Sequence, residues 1–393
     1  MKIAILGCGY VAEQYLNTLA YHPELQLAGV VDRDADRRDR FAQRARTRAF
    51  ESFDALLADG EAQLVLNLTS PRSHFELNRA CLAAGKHVYS EKPLAMTTAE
   101  ARSLVEMARQ HRLYLGSAPC SVLSGAAQTL WRAVREGAAG TVRVVYATFD
   151  DGMIAPHQAP WTWVNAAGVP WPAKDEFEVG STYQHAGYVI TWLCAMFGPA
   201  RRVTSFASVQ VPDKGIAVDV MAPDFTVGCI EFDGGVVARV TCGLAAPRDK
   251  SITVVGDKGT LMVGNVRDDR APVMWRSVTP GRLERLLRHR ARFLHRWLQA
   301  RLTDAGVAAL FAIPWQAVEP ATTAIALPDK PVDFLLGPAE MADAIATGRR
   351  SRLSAEFGAH LVEVVERLQY PERFSDGAVA TTFDAIEPMS WAR

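Results

Sequence analysis

No C-x-x-C pair and no Cys/His cluster at metal-ligand spacing occurs in this sequence; six cysteines stand apart at 8, 81, 120, 194, 229 and 242. That pattern excludes a zinc knuckle or a disulfide framework, and it suits reduced, mostly buried thiols in a cytoplasmic protein. Net charge is also lacking, since Lys plus Arg and Asp plus Glu both number 43. Without a long-range positive field there is no general nucleic-acid partner to expect. The most apolar stretch, Ala186 to Ala200, falls short of the roughly 18 to 20 residues a membrane span needs and contains Gly198-Pro199. The opening run from Met1 to Leu6 stops at Gly7, too early for a signal-peptide core, and reads as a first strand. Lysine is scarce, supplying eight of the 43 basic residues, which lends weak support to any lysine whose tunable pKa would matter. There is no internal repeat and no low-complexity tract.

What is present is ample core material. Apolar residues make up 49% and charged residues 22% of 393, which favours two or three folded units, with two as the working count. Residues 1–118 alternate short β-rich runs (Ile3 to Leu6, Leu25 to Val31, Leu64 to Leu68, Lys86 to Tyr89) with helical stretches near 10–22, 35–46, 73–84 and 97–111. This is the rhythm of a parallel sheet. From 119 to 393 the rhythm changes to strands near 141–149, 202–211, 225–232, 236–242, 251–255 and 260–263. The tight turns Asp233-Gly234-Gly235 and Gly256 to Gly259 imply an antiparallel sheet whose glycines supply positive φ. One helix near 182–197 interrupts that run, two more close the chain near 338–347 and 354–368, and 268–330 reads as an Arg-rich insertion. The fold class expected is α/β: a Rossmann domain followed by an α/β domain with an open, largely antiparallel sheet.

Gly7-Cys8-Gly9-Tyr10-Val11-Ala12 is a G-x-G-x-x-A turn between the first strand and the first helix. Gly7 permits the tight turn, Gly9 lets backbone approach a pyrophosphate, and Ala12 allows close helix packing. Asp32 ends the second strand, where a carboxylate accepts hydrogen bonds from a ribose diol and repels a 2′-phosphate. NAD is therefore favoured, while neighbouring Arg33 keeps NADP open.

Glu91-Lys92-Pro93 follows the fourth strand at the carboxyl end of the sheet, where open α/β folds bind ligands. A Lys-Pro bond adopts cis far more readily than other peptide bonds, one way to aim an ammonium inward; a surface Lys before a helix-starting Pro fits the same triplet. On the later helix, Gln184 and Tyr188 at i, i+4 and His185 and Tyr188 at i, i+3 share a face. Oxidising a carbinol needs a base for the hydroxyl proton while hydride leaves carbon, and a Tyr or His beside a Lys ammonium can serve. Satisfied polar residues of a core helix would show the same spacing.

These elements, with Thr69-Ser70-Pro71-x-x-His74 and the helix ending Phe197-Gly198-Pro199, resemble the glucose-fructose oxidoreductase, inositol dehydrogenase and rhizopine-catabolism (Gfo/Idh/MocA) family over nearly the whole chain. The resemblance implies hydride transfer between NAD(P) and a sugar, polyol or nucleotide sugar. It assigns Lys92 as the catalytic lysine and sets Thr69, Ser70, His74 and Glu91 near the cofactor. It also implies a homo-oligomer, dimer or tetramer. Two departures stand out. Where the family usually has Asp-x-x-x-His, this chain has Gln184 and Tyr188, which promotes His185 as a helper; and Gly116-Ser117-Ala118-Pro119-Cys120 lacks the family's usual polar residues. The expected activity is therefore an NAD-dependent sugar dehydrogenase or reductase with Lys92, Tyr188 and His185 catalytic and Gln184 binding substrate. Alternatives are an epimerase or glycosidic lyase or hydrolase that cycles bound NAD, and a regulatory protein that senses nucleotide and sugar.

Trp161, Trp163 and Trp171 lie in a Pro-rich loop between Asp151 and Val179, suited either to walling a sugar's C–H face or to plugging the loop onto the domain. Residues 282–301 hold seven Arg and one Glu beside an apolar helical stripe. Plain packing, peripheral contact with the inner face of a membrane, and binding of a diphosphate all suit that pattern.

Overall fold

The computed structural model describes residues 1–154, 156–279, 315–321 and 331–393. The basic stretch 282–301 lies outside them. Among the described residues no helix is long and apolar enough to cross a membrane.

The N-terminal sheet is parallel throughout, in the order β2-β1-β3-β4-β5: β1 is Lys2–Leu6, β2 Gln26–Val31, β3 Leu64–Asn67, β4 His87–Ser90 and β5 Leu115–Ser117. Helices α1 (Ala12–Thr18), α2 (Ala35–Ala45), α3 (Phe53–Ala58), α4 (His74–Ala83) and α5 (Thr98–His111) link the strands. β3 is buried at every position, as expected of a central strand covered on both faces. α5 begins with a capping box in which Thr97 and Glu100 each satisfy the other's backbone N–H, halting the chain just beyond the Glu-Lys-Pro turn.

The second sheet runs β13-β12-β11-β10-β6-β9-β8-β7. Its strands are β6 (Val142–Asp150), β7 (Ala200–Ser208), β8 (Phe225–Phe232), β9 (Val237–Gly243), β10 (Ile252–Gly256), β11 (Gly259–Val263), β12 (Val273–Ser277) and β13 (Gln316–Ala317). Two expectations change here. β6 and β9 pair in parallel, because the chain enters the middle of the sheet at β6, adds β7, β8 and β9 from the far edge inward, and meets β6 from the other side. In the 233–235 turn Gly234 and Gly235 do have positive φ. Gly256 and Gly259 do not; they are glycines because a Cβ would collide with the Ala139 carbonyl at 2.2 Å and the Trp275 indole at 2.4 Å. Part of the segment read as an insertion, β12 and β13, extends this sheet.

Helices α6 (Gly125–Arg135), α7 (Ala173–Val179), α8 (Gly187–Phe197), α9 (Leu336–Thr347) and α10 (Ala355–Gln369) complete the described fold. α10 packs on both α5 and β7, and its Glu366 accepts bonds from the Thr98 N–H at 2.9 Å and hydroxyl at 2.6 Å. The two sheets are thereby fixed against each other. The Gly116 to Cys120 segment is buried in this junction: a Cβ on Gly116 would lie 2.3 Å from the Leu353 carbonyl, and one on Gly187 would lie 3.3 Å from Pro119. Its small side chains follow from that packing.

Candidate active site

Three turns at the carboxyl ends of β1, β2 and β4 build the nucleotide side. Gly7 has φ of +96°, and a Cβ there would sit 3.0 Å from Leu68 and Thr69; one on Gly9 would meet nothing within 4 Å. Gly7 is thus demanded by the turn, and Gly9 leaves open space for a ligand's approach. Ala12 is wholly buried. Asp32 Oδ2 accepts the Cys8 N–H at 2.7 Å and Oδ1 accepts that of Asp34 at 2.9 Å, which ties the second strand's tip to the glycine turn. Each carboxylate oxygen keeps further acceptor capacity. Arg37 stands 3.8 Å from Asp32, and Arg33 is exposed beside it. These residues fit a dinucleotide: open space at Gly9 for a pyrophosphate and an oriented acceptor at Asp32 for a diol. The Cys8 thiol, its pKa pushed up to about 12 by burial and then by Asp32, is inert.

His74 differs from expectation. It is fully buried, with Nδ1 2.6 Å from the Pro93 carbonyl and Nε2 3.0 Å from that of Thr69, so neither ring nitrogen is free for a cofactor. It staples the loop after β3 to the Glu-Lys-Pro turn. The Thr69 hydroxyl donates to Asn67 Oδ1 at 2.7 Å, and Ser70 pairs with Ser73. Glu91 is likewise internal: Oε1 accepts from the Tyr15 hydroxyl at 2.8 Å and Oε2 from the Lys92 N–H at 3.0 Å. The Lys92-Pro93 bond is cis. Lys92 Nζ donates to Gln184 Oε1 at 2.7 Å, joining the two domains. Burial lowers the Lys92 pKa, against the raising pull of Glu91 and Glu176.

The helix that supplies Gln184 is not one continuous α-helix. Thr182–Ala186 is a π-helical turn leading into α8, so the assumed i, i+3 and i, i+4 register is broken between Gln184 and Tyr188. Tyr183 anchors the wide turn, its hydroxyl donating to the Met96 carbonyl at 2.7 Å and its N–H to Gln369 Oε1 at 3.3 Å. Gln184 consequently meets Lys92. Tyr188 stacks on Phe149 at 5.1 Å with the Arg267 guanidinium 4.9 Å from its ring centre. Burial pushes the Tyr188 pKa up to about 12, with Arg267 pulling the other way, and the phenol stays protonated at neutral pH. Lys92 and Tyr188 share Glu91, Asp151 and Arg267 as electrostatic neighbours.

His185 is held by carboxyl groups absent from the sequence reading. Nδ1 lies 3.2 Å from Asp151 Oδ2 and Nε2 3.2 Å from Glu176 Oε1, both off good hydrogen-bond alignment. Burial takes the imidazole down to about 3, so it is neutral. Burial raises Glu176 to about 7, although Lys92 pulls it down. Asp151 would also be raised by burial, but Lys250, whose ammonium pairs with it, holds it below the usual carboxylate range. Lys250 did carry one sequence signal, the scarcity of lysine. Asp151, Glu176 and Arg267 carried none.

The tryptophans form a satellite cluster. Trp161 packs with Phe177 and Leu244, and Trp163, 37% exposed, stands 5.3 Å from Trp171. This favours the plug over the sugar wall. The loop they pin reaches the glycine turn, where Asn165 Nδ2 donates to the Tyr10 carbonyl at 3.2 Å. Tyr10 and Val11 are otherwise partly exposed.

Residues 1–118 match the oxidoreductase family with an NAD-binding Rossmann fold, and residues 127–262 match the GFO/IDH/MocA C-terminal domain. The chain belongs to the Gfo/Idh/MocA oxidoreductase family, and its N-terminal domain is an NAD-binding Rossmann fold. Among curated relatives, trans-1,2-dihydrobenzene-1,2-diol dehydrogenase of Mus musculus is 27% identical over 67% of this chain and 74% of its own length. Two solved structures share the fold. Aldose-aldose oxidoreductase from Caulobacter crescentus, complexed with glycerol, has a TM-score of 0.71 at 18% identity, covering 95% of this chain and 97% of its own. The WlbA dehydrogenase from Bordetella pertussis, in complex with NADH and UDP-GlcNAcA, has a TM-score of 0.68 at 17% identity, covering 95% of each.

Proposed function

We propose that this protein transfers a hydride between NAD(H) and a carbinol carbon of a sugar, polyol or nucleotide sugar, with Lys92 against the reacting oxygen and Tyr188 and His185 as its proton partners. The observation that carries the reading is the partly buried Lys92 ammonium, held at 2.7 Å by Gln184 beside the carboxyl ends of the Rossmann strands. When bound, the nicotinamide supplies the hydride acceptor or donor. Lys92 supplies a desolvated cation to polarise a C–O bond, and burial loosens its proton for transfer. Gln184 is neutral, so it orients the ammonium without competing for the proton. Tyr188, held as a phenol, donates in the reducing direction; His185, held as a neutral imidazole, accepts in the oxidising one. Asp32 favours NAD over NADP.

The relatives support the substrate class: one acts on a cyclic diol, one on aldoses, and one is seen with a nucleotide sugar. The test is to mix purified protein with NAD⁺ or NADP⁺ and a panel of sugars, polyols, uronic acids and nucleotide sugars, reading absorbance at the nicotinamide band. Reduction of NAD⁺ by members of that panel is expected. An unchanged spectrum with every one, in both cofactors and both directions, would overturn the reading.

A further inference from the structure

Arg267 lies outside every motif of the sequence, in the loop between β11 and β12. Its guanidinium carbon is 4.9 Å from the Tyr188 ring centre and 5.9 Å from that of Phe334. Phe334 packs on Tyr15 at 5.5 Å, and the Tyr15 hydroxyl holds Glu91, the neighbour of Lys92. The cation therefore stands at the seam of the two domains, on the same side as Lys92. Among the described residues no carboxylate lies within ion-pair distance of it, although it is partly buried.

The acids around it are held by other groups. Asp151 pairs with Lys250, Glu91 takes the Tyr15 hydroxyl and the Lys92 N–H, Glu176 lies against His185 Nε2 at 3.2 Å, and one oxygen of Asp269 accepts the Asp333 N–H at 2.7 Å. Where the resemblance leads one to expect an aspartate, Gln184 is neutral. The remaining cation is thus a guanidinium resting against aromatic rings, an arrangement that keeps its N–H edge available for a planar or tetrahedral oxyanion.

We propose that Arg267 is the seat for a negatively charged group of the substrate, a carboxylate or a phosphate, so that this site takes an acidic or nucleotide-linked sugar in preference to a neutral one. The proposal rests on the reading of the cleft as a carbohydrate oxidoreductase site. It also accounts for the rest of the cleft: Lys92 is occupied with the reacting oxygen and Lys250 with Asp151, which leaves Arg267 to fix the other end of the molecule.

The experiment titrates NADH-loaded protein with D-glucuronate, UDP-glucose and D-glucose, following tryptophan fluorescence and the melting temperature. It compares the parent with R267M, which keeps an apolar stem against the rings, and with R267K, which keeps charge without the fork. At least one anionic probe is expected to bind ten-fold or more tighter than D-glucose, to lose that advantage in R267M, and to recover only part of it in R267K. D-Glucuronate as the Arg267-dependent probe identifies a carboxylate, and UDP-glucose identifies a phosphate. Melting without ligand checks the fold, and should R267M fail to fold, R267K decides by the same criterion. D-Glucose binding as tightly as both anions, anion affinity untouched by either substitution, or no probe binding to the parent would each overturn the proposal. Arg267-dependent binding with no nicotinamide absorbance change for any substrate would sink the redox reading instead and leave the seat standing. Turnover of a neutral sugar, equal in parent and R267M, would do the reverse.

Discussion

On the nucleotide side of the cleft, Asp32, His74 and Glu91 bind backbone groups of the neighbouring turns. Across the cleft, Asp151, Glu176, His185, Lys250 and Arg267 arrive from five separate segments and meet one another or aromatic rings through their side chains, Asp151 pairing with Lys250, His185 lying between Asp151 and Glu176, and Arg267 resting on Tyr188. Backbone N–H and carbonyl groups cannot be changed by substitution, so the first arrangement fixes a geometry for one cofactor. A lattice of ionisable side chains can be rewired one residue at a time, which suits the face that must choose a substrate.

That contrast can be broken in several places. Lys92→Ala removes a charged group that spans both sides; a fall in turnover of about 10²–10⁴-fold is expected, with NADH affinity, read by fluorescence titration, changed little. Loss of both together would mean that the sides are not separable. His74→Leu removes the imidazole N–H that serves the Pro93 or Thr69 carbonyl in the interior and should cost about 1–3 kcal/mol in denaturant unfolding.

Glu176→Gln should instead show itself through pH. The folded carboxyl binds its proton up to about 7 and the unfolded one only to about 4.5, so the folded parent holds more protons between those values and loses stability as pH rises. The variant lacks this loss. Its stability relative to the parent should climb by at most about 1.4 kcal/mol per pH unit through that window, measured by urea melts at successive pH values. A difference that ignores pH would show that Glu176 is held by geometry, like the residues opposite. Last, Asn165→Ala removes the bond from the tryptophan loop to Tyr10 together with the bonds its Oδ1 accepts from the Ala167 and Val169 N–H groups; a stability loss of about 0.5–1.5 kcal/mol per bond and faster NADH release in stopped flow are expected.

The same contrast explains what could be read beforehand. Gly7, Gly9, Asp32 and Lys92 were legible as residues because each stands in a turn directly after a strand, β1, β2 or β4, that its own apolar run marks out. Strands were legible by their alternation, yet the parallel pairing of β6 with β9 was not, since the order in which strands join a sheet is not written in any one of them. His74 was misassigned because burial turns the same imidazole from a ligand into a staple. Asp151, Glu176 and Arg267 were invisible because only the crossing of distant elements makes them neighbours. Tyr188 and Gln184 were legible as residues but not in phase, because nothing in Thr182–Ala186 announces a wider turn.

That wide turn sets the phase of everything after it. Each residue of an α-helix advances the side chains by about 100°, so deleting one residue there and restoring regular winding would swing the Tyr188 ring off Phe149 while leaving its chemistry intact. A lineage could thus exchange which aromatic or polar group overlooks the cleft by gaining or losing a single codon, with no change to the fold that carries it.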